Sequence, residues 1–213
     1  LGDVYKRQIK DNAIDLSSVE LTEDEIRGFD QIYIVACGSA WHVGMAAQYV
    51  IEDLSDIPVR VELASEFRYR RMSLNKNSLV IVISQSGETA DTLAALRLAK
   101  EKGIITLAVV NVVGSSIARE ADKVFYTLAG PEISVATTKA YSAQLAAMYC
   151  LAVQFAKVRN MITEEQYNNY LSELLTIPEK IQKILQDKER LQWFAAKLSL
   201  IHISEPTRRV VIS

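Results

Sequence analysis

Ser84-Gln85-Ser86-Gly87-Glu88-Thr89 packs three hydroxyls, a carboxamide and a glycine into six residues, between the apolar run at 79–83 and a helix-like stretch at 90–102. That order reads as strand, turn, helix. The first backbone N–H groups of a helix have no internal partners and carry the positive end of its dipole, so an anion settles there readily. Ser84, Ser86 and Thr89 add hydroxyl donors and Gln85 an amide, while Gly87 lets the backbone approach a ligand or take a positive φ. The chemistry implied is a phosphate cradle. The competing reading is an ordinary helix cap, for which serine and threonine are also preferred.

Other reactive side chains carry plainer readings. Cys37 follows a strand with no positive partner in the sequence to lower its pKa, so it reads as a small residue beside the site rather than a nucleophile. His42, next to Trp41, reads as a packing residue rather than a base. Glu88 belongs in a first helical turn, where the dipole favours negative charge. Glu66, Arg68, Arg70 and Arg71 form a charged cluster expected to be solvated, and Lys139 is expected either in a salt bridge or near the anion.

The elements that must position the turn follow from periodicity. The β-branched apolar run 32–37 has the pattern of a strand covered on both faces and ends at Gly38-Ser39 before a helix at 41–54. Further strands are predicted at 59–63, 79–84, 104–110 and 124–127, with helices at 90–102 and, short, after Ser115-Ser116. Ahead of them a short helix is expected within 16–29, with Thr22 and Glu25 as a capping box. Beyond Thr138 only helices are expected, at 139–159, 163–185 with Pro178 as a bend or break, and 187–197. Alternating strands and helices imply an α/β fold, a doubly wound five-stranded parallel sheet of flavodoxin-like order 2-1-3-4-5 with helices on both faces and a helical C-terminal extension. In that order the first and third strands flank the switch point, so Gly38-Ser39 and the 84–89 turn face one crevice beyond the strand ends.

Composition bounds the partners. The chain has 213 residues, 49% of them hydrophobic, which suits one ordinary domain with a real core. With 24 basic against 26 acidic residues and no basic run interleaved with aromatics, no nucleic-acid or membrane-surface footprint is visible, and a small-molecule ligand is expected. Cys37 and Cys150 match no metal spacing, so no metal and no cofactor are expected, and free thiols point to a reducing, cytoplasmic setting. The most apolar window, 141–156, is interrupted by Gln144 and Gln154 and falls short of the roughly 20 residues that span a bilayer, which reads as a buried or dimer-facing helix.

Both ends read as translated sequencing-adapter DNA. Asp3-Val4-Tyr5-Lys6-Arg7-Gln8 is what GAT GTG TAT AAG AGA CAG encodes, and residues 198–208 match its reverse complement with adjoining adapter. The expected organisation is therefore scar at 1–8, linker and helix at 9–28, the α/β domain at 29–160, a helical linker at 161–197 and scar at 198–213, cut from a longer gene.

The assembled motifs resemble the sugar isomerase (SIS) domain family, and within it the isomerising glutamine–fructose-6-phosphate aminotransferases, or glucosamine-6-phosphate synthases. The stretches that carry the resemblance are Ile34-Val35-Ala36-Cys37-Gly38-Ser39-Ala40-Trp41-His42, Ala64-Ser65-Glu66-Phe67-Arg68-Tyr69-Arg70, Ser84 through Leu93, and Glu132-Ile133-Ser134-Val135-Ala136-Thr137-Thr138-Lys139-Ala140. Ser-Gln-Ser-Gly alone indicates an SIS domain; the second and fourth stretches narrow it to the synthases. The resemblance implies that fructose 6-phosphate binds with its phosphate on Ser84, Gln85, Ser86 and Thr89, with Gly38, Ser39 and Ala40 on the sugar side and Val135, Ala136 and Thr137 in an approaching loop. Family members often carry Thr-Ser where this chain has Ser39-Ala40, so one hydroxyl is missing. It further implies a glutaminase and a second SIS domain elsewhere in the parent enzyme, a homodimer, contacts of some of the 66–71 cluster with the dimer partner or the neighbouring domain, and conversion of fructose 6-phosphate and glutamine to glucosamine 6-phosphate and glutamate. The acid/base residues of that reaction belong to the second SIS domain, so no residue of this segment is assigned a catalytic role and the segment is expected to bind without catalysing. A phosphosugar-sensing SIS module of a transcriptional regulator is the alternative.

Overall fold

The computed structural model describes residues 8–71, 73–132 and 137–197. Nearly all of the two adapter-like ends, together with Val135 and Ala136, lies outside the described residues. The chain divides into two units, Leu1–Leu175 and Thr176–Ser213.

The first unit opens with a two-strand hairpin, β1 (Ile9–Lys10) and β2 (Ala13–Ile14). It escaped the sequence reading because its strands are two residues long and its turn is built on Asp11 and Asn12, both at positive φ, without the usual glycine. A 3-10 turn at Ser17–Val19 precedes α1 (Glu23–Gly28), so the helix expected within 16–29 is in fact two pieces. Thr22 and Glu25 form the capping box.

The sheet then runs β3 (Gln31–Ala36), β4 (Val59–Leu63), β5 (Ser78–Ser84), β6 (Ile105–Val110) and β7 (Lys123–Tyr126), all parallel, in the order β4-β3-β5-β6-β7. Renumbered from the first of these strands, that is the 2-1-3-4-5 order expected. Every residue of β5 is buried, as a central strand covered on both faces requires. Side chains alternate between faces: Tyr33, Val35, Val80, Val82, Ala108 and Val110 join one core with α3 (Ala64–Phe67), α4 (Ala90–Glu101) and α5 (Ser116–Glu120).

On the other face lie α2 (Gly38–Ser55) and α6 (Lys139–Val158), packed against each other. Gly44 permits the close seating of α2, since a Cβ there would lie 2.9 Å from Ile34 Cγ2 and 3.0 Å from Val61 Cγ1. The alanine-rich α6 is buried around most of its circumference within the single chain, so its apolar character is accounted for without a second copy. Arg159 beyond it ties the helix layer together, donating to the carbonyls of Ser55 at 3.1 Å and Phe29 at 3.2 Å.

The helix α7 (Glu164–Leu185) continues through Pro178, so of the bend or break expected there the break does not occur. The second unit carries the end of α7 and α8 (Lys188–Lys197), where Trp193 and Phe194 stack edge to face with centroids 5.1 Å apart. Among the described residues no helix is long and apolar enough to cross a membrane.

Candidate functional site

The β5–α4 turn is held by its own side chains. Ser84 Oγ accepts the Gly87 N–H at 3.0 Å and lies 3.0 Å from Thr89 Oγ1, while Ser86 Oγ accepts the Glu88 N–H at 3.2 Å. Gly87 adopts φ +66°, the left-handed conformation anticipated for it. Thr89 is the N-cap of α4 but makes no side-chain cap bond, and the Leu93 N–H is the amide that reaches its carbonyl, at 2.9 Å. The amides at positions 90–92 are thus the orphan donors of a helix start. The simple-cap reading therefore does not describe these hydroxyls: Ser84 accepts within the turn, Ser86 keeps its proton to donate, and the Ser84–Thr89 contact leaves one of those two hydroxyl protons free.

A second device braces the turn from outside. The Gly87 carbonyl accepts from Ile117 N–H at 3.0 Å, and the Glu88 carboxylate accepts from Ser116 N–H at 2.7 Å. Glu88 was expected to serve the dipole of its own helix; it caps α5 instead. That backbone bond, with a second from the Ser116 hydroxyl, holds the Glu88 carboxyl below its ordinary value.

Beside the turn, at the C-terminal ends of β3 and β5, lies a cavity of about 180 Å³. Ser39, Ala40, Ser84, Gln85, Ser86, Thr89 and Thr137 line it, so seven of the ten residues singled out from the sequence meet in one space. Gly38 sits at the entry to α2 at φ +56° without lining the cavity, and at Ala40 only a methyl and backbone are on offer. Cys37, Ile83 and Gln144 complete the wall. Cys37 is half-buried and 3.9 Å from Thr92 Oγ1, in keeping with a small residue at the site's edge. His42 is exposed, stacked edge-on to Trp41 at 5.0 Å, and does not line the cavity.

Gln144 was missed. It interrupts the most apolar window of the chain, and in sequence that interruption argues against a membrane span without pointing to a site. Its side chain is 1% exposed, and neither its Oε1 nor its Nε2 has a partner among the described residues. Gln85 Oε1 is likewise buried and unpartnered.

The surrounding charges are paired away from the cavity. Arg68 meets Asp91 at 2.7 Å and Arg70 meets Glu62 at 3.1 Å, so part of the cluster expected to be solvated is used within the chain. Arg68 neutralises an acidic residue in the first turn of α4 that would otherwise repel an anion there. Lys139 is exposed, and the start of α6 is satisfied by Glu132, whose carboxylate accepts the Ala140 N–H at 3.0 Å. No cluster of potential metal ligands occurs among the described residues. Among the described residues the cavity wall thus offers hydroxyls, amides and backbone donors, with Cys37 its one ionisable side chain. That set has the chemistry to suit a polar anionic ligand, and its described residues supply neither a carboxylate, an imidazole nor an amine for proton transfer.

The SIS domain profile matches residues 25–154. The chain is 53% identical over 190 residues to the glutamine–fructose-6-phosphate aminotransferase (isomerizing) of Clostridium acetobutylicum, covering 89% of this chain and 31% of that protein. It is 44% identical over 191 residues to the protein of the same name from Methanosarcina acetivorans, covering 29% of it. Among solved structures, the C-terminal domain of glucosamine-fructose-6-phosphate aminotransferase from Francisella tularensis superposes with a TM-score of 0.87 at 37% identity, over 91% of this chain and 55% of that one. The chain spans about a third of the length of the curated relatives it matches.

Proposed function

The chain belongs to the SIS domain family, and on that premise we propose that it is the first sugar-isomerase segment of a glutamine–fructose-6-phosphate aminotransferase, binding the phosphosugar while other domains carry the chemistry. The observation that supports this reading is the meeting of Ser39, Ser84, Gln85, Ser86, Thr89 and Thr137 in one cavity at the start of α4. The phosphate of fructose 6-phosphate sits over the α4 amides and takes protons from Ser86 and Thr89, its charge balanced by the helix dipole rather than by a lysine or arginine. The sugar lies toward Ser39, Ala40 and Thr137.

The whole enzyme converts fructose 6-phosphate and glutamine to glucosamine 6-phosphate and glutamate. Aldose–ketose isomerisation needs an acid/base within hydrogen-bond reach of the carbonyl and the adjacent carbon, and the described cavity wall offers none. The proton-moving groups accordingly belong to a second SIS domain, and the ammonia to a glutaminase domain, both in cis. We place the SIS domain at 29–160 and the linker at 161–197, and we assign the protein to the cytoplasm as a homodimer. Because the relatives above carry the aminotransferase name, the phosphosugar-sensing regulator is not favoured.

The test is calorimetric titration of fructose 6-phosphate into the 213-residue chain and its Ser86→Ala variant, with an assay for glucosamine 6-phosphate alongside. Binding that weakens about tenfold in the variant, the worth of one charge-assisted hydrogen bond, supports the reading. Unchanged affinity, or product formation by the chain alone, overturns it.

A further inference from the structure

Among the buried polar atoms left without partners in the described residues, Gln85 Oε1 and both amide atoms of Gln144 are the ones whose side chains line the cavity. Gln144 is the stronger anomaly. It stands on α6 among Ala140, Ala143, Ala147 and Met148, all fully buried, in surroundings where an alanine or leucine would cost nothing. A buried amide with neither its donor nor its acceptor used is expensive, and native folds keep such groups only where something outside the chain completes them. Gln154, nearly three turns further along the same helix, shows the ordinary outcome: its Oε1 accepts from the Tyr167 hydroxyl at 3.3 Å.

We propose that Gln144 is a ligand-binding residue that recognises a hydroxyl group on the carbon chain of the bound phosphosugar, and so discriminates sugar phosphate from free phosphate. The proposal rests on the cavity's being the phosphosugar site and goes beyond it in assigning a contact to the sugar portion. A carboxamide presents one acceptor and two donors side by side. The phosphate of a sugar ester is mostly dianionic at neutral pH and a dianion's oxygens only accept, so it would leave Oε1 unpaired; an alcohol both donates and accepts and satisfies the two ends together. The phosphate, moreover, already has the α4 amides, Ser86 and Thr89. Ala40 offers no hydroxyl on the sugar side, so Gln144 joins Ser39 and Thr137 as a neutral polar group in this wall able to hold that part of the ligand.

The experiment compares fructose 6-phosphate with inorganic phosphate on the full chain, for wild type, Gln144→Met and Ser86→Ala. Methionine nearly preserves the volume and removes both polar atoms. The expected result is about a tenfold loss of fructose 6-phosphate affinity in Gln144→Met with phosphate affinity unchanged, whereas Ser86→Ala weakens both ligands. The ligand-free thermal midpoint of Gln144→Met should equal or exceed that of wild type, because an unpaired amide has been removed. In wild type, the Gln144 side-chain NH₂ resonances should move on adding fructose 6-phosphate and stay in place with inorganic phosphate.

Unchanged fructose 6-phosphate affinity in Gln144→Met, with phosphate binding and the Ser86→Ala effect intact, overturns this proposal alone. A Gln144→Met chain that melts far below wild type shows the amide to be structural and also overturns it. Wild type that binds neither ligand overturns the phosphosugar reading and this contact with it.

Discussion

Gly87 and Ser115 occupy the same space: a Cβ built on Gly87 would lie 2.0 Å from Ser115 Oγ and 2.5 Å from Ser115 Cβ. The turn that cradles the proposed anion and the loop before α5 are thus seated directly against each other. The Gly87 carbonyl and the Glu88 carboxylate, accepting from the N–H groups of Ile117 and Ser116, fix the seat. The positive φ of Gly87 adds a second reason for glycine.

Gly87→Ala should therefore destabilise the fold by about 2 kcal/mol or more, since overpacking and left-handed strain add. It should also reduce fructose 6-phosphate binding. Ser115→Gly in the same chain removes both clashing atoms and should recover part of the melting temperature, leaving only the cost of the backbone angle. Ser115 Oγ is buried and unpartnered, so Ser115→Ala alone should be neutral or mildly stabilising. An alanine at position 87 that melts with wild type would show that the two segments separate freely.

Glu88 gives the cradle a pH dependence. Its carboxyl is held below the ordinary value of 4.5 because it accepts the Ser116 N–H, so the ionised form belongs to the folded state. The stability it contributes is fully present above the unfolded pKa and is lost as pH falls through the lowered native one. The difference in thermal midpoint between wild type and Glu88→Gln should be constant from pH 8 to about 6 and should shrink as the pH drops below 4.5. Taking the difference cancels the other depressed carboxylates, among them Glu120 and Asp122. A difference that grows on acidification would contradict the assignment.

The sheet was legible because each strand advertises its environment: β3 and β5 are unbroken apolar runs, and that is what burial on both faces demands. The turn at 84–89 was legible because glycine and hydroxyls at a strand–helix junction have few other uses. Three things were not. The hairpin at 9–14 is too short to show a period, and the cap of α5 by Glu88 joins residues 28 positions apart. Gln144 looks, in sequence, like a blemish in an alanine-rich helix; it becomes informative once the fold buries it with no hydrogen-bond partner among the described residues.

Gly44 marks where α2 comes closest to the sheet, and Gly28 gives its control. Alanine at position 44 brings a methyl within 2.9 Å of Ile34 Cγ2, and both neighbours are side chains of packed elements rather than flexible tips. A loss of about 1–3 kcal/mol is expected, read as a lower urea midpoint with an unchanged slope. Gly28, at the end of α1, has nothing within 4 Å of its would-be Cβ, so Gly28→Ala should be neutral or slightly stabilising. Equal effects at the two positions would mean that α2 does not seat on the sheet as described.

The two cysteines should differ in chemistry as they differ in place. Burial pushes the Cys150 thiol up to about 12, and its side chain is 0% exposed, so alkylation at pH 8 should leave it untouched until the chain is unfolded. Cys37 is half-buried and lines the cavity, so the native chain should take up one label, at Cys37. Because the wall that holds Cys37 is the wall proposed to hold the phosphosugar, saturating fructose 6-phosphate should slow that labelling several-fold, and inorganic phosphate, seated over α4, should slow it less. Peptide mapping by mass spectrometry after timed exposure to iodoacetamide reads both sites at once. Labelling of Cys37 that proceeds at the same rate with and without fructose 6-phosphate, under conditions where calorimetry shows the ligand bound, would place the ligand outside this cavity.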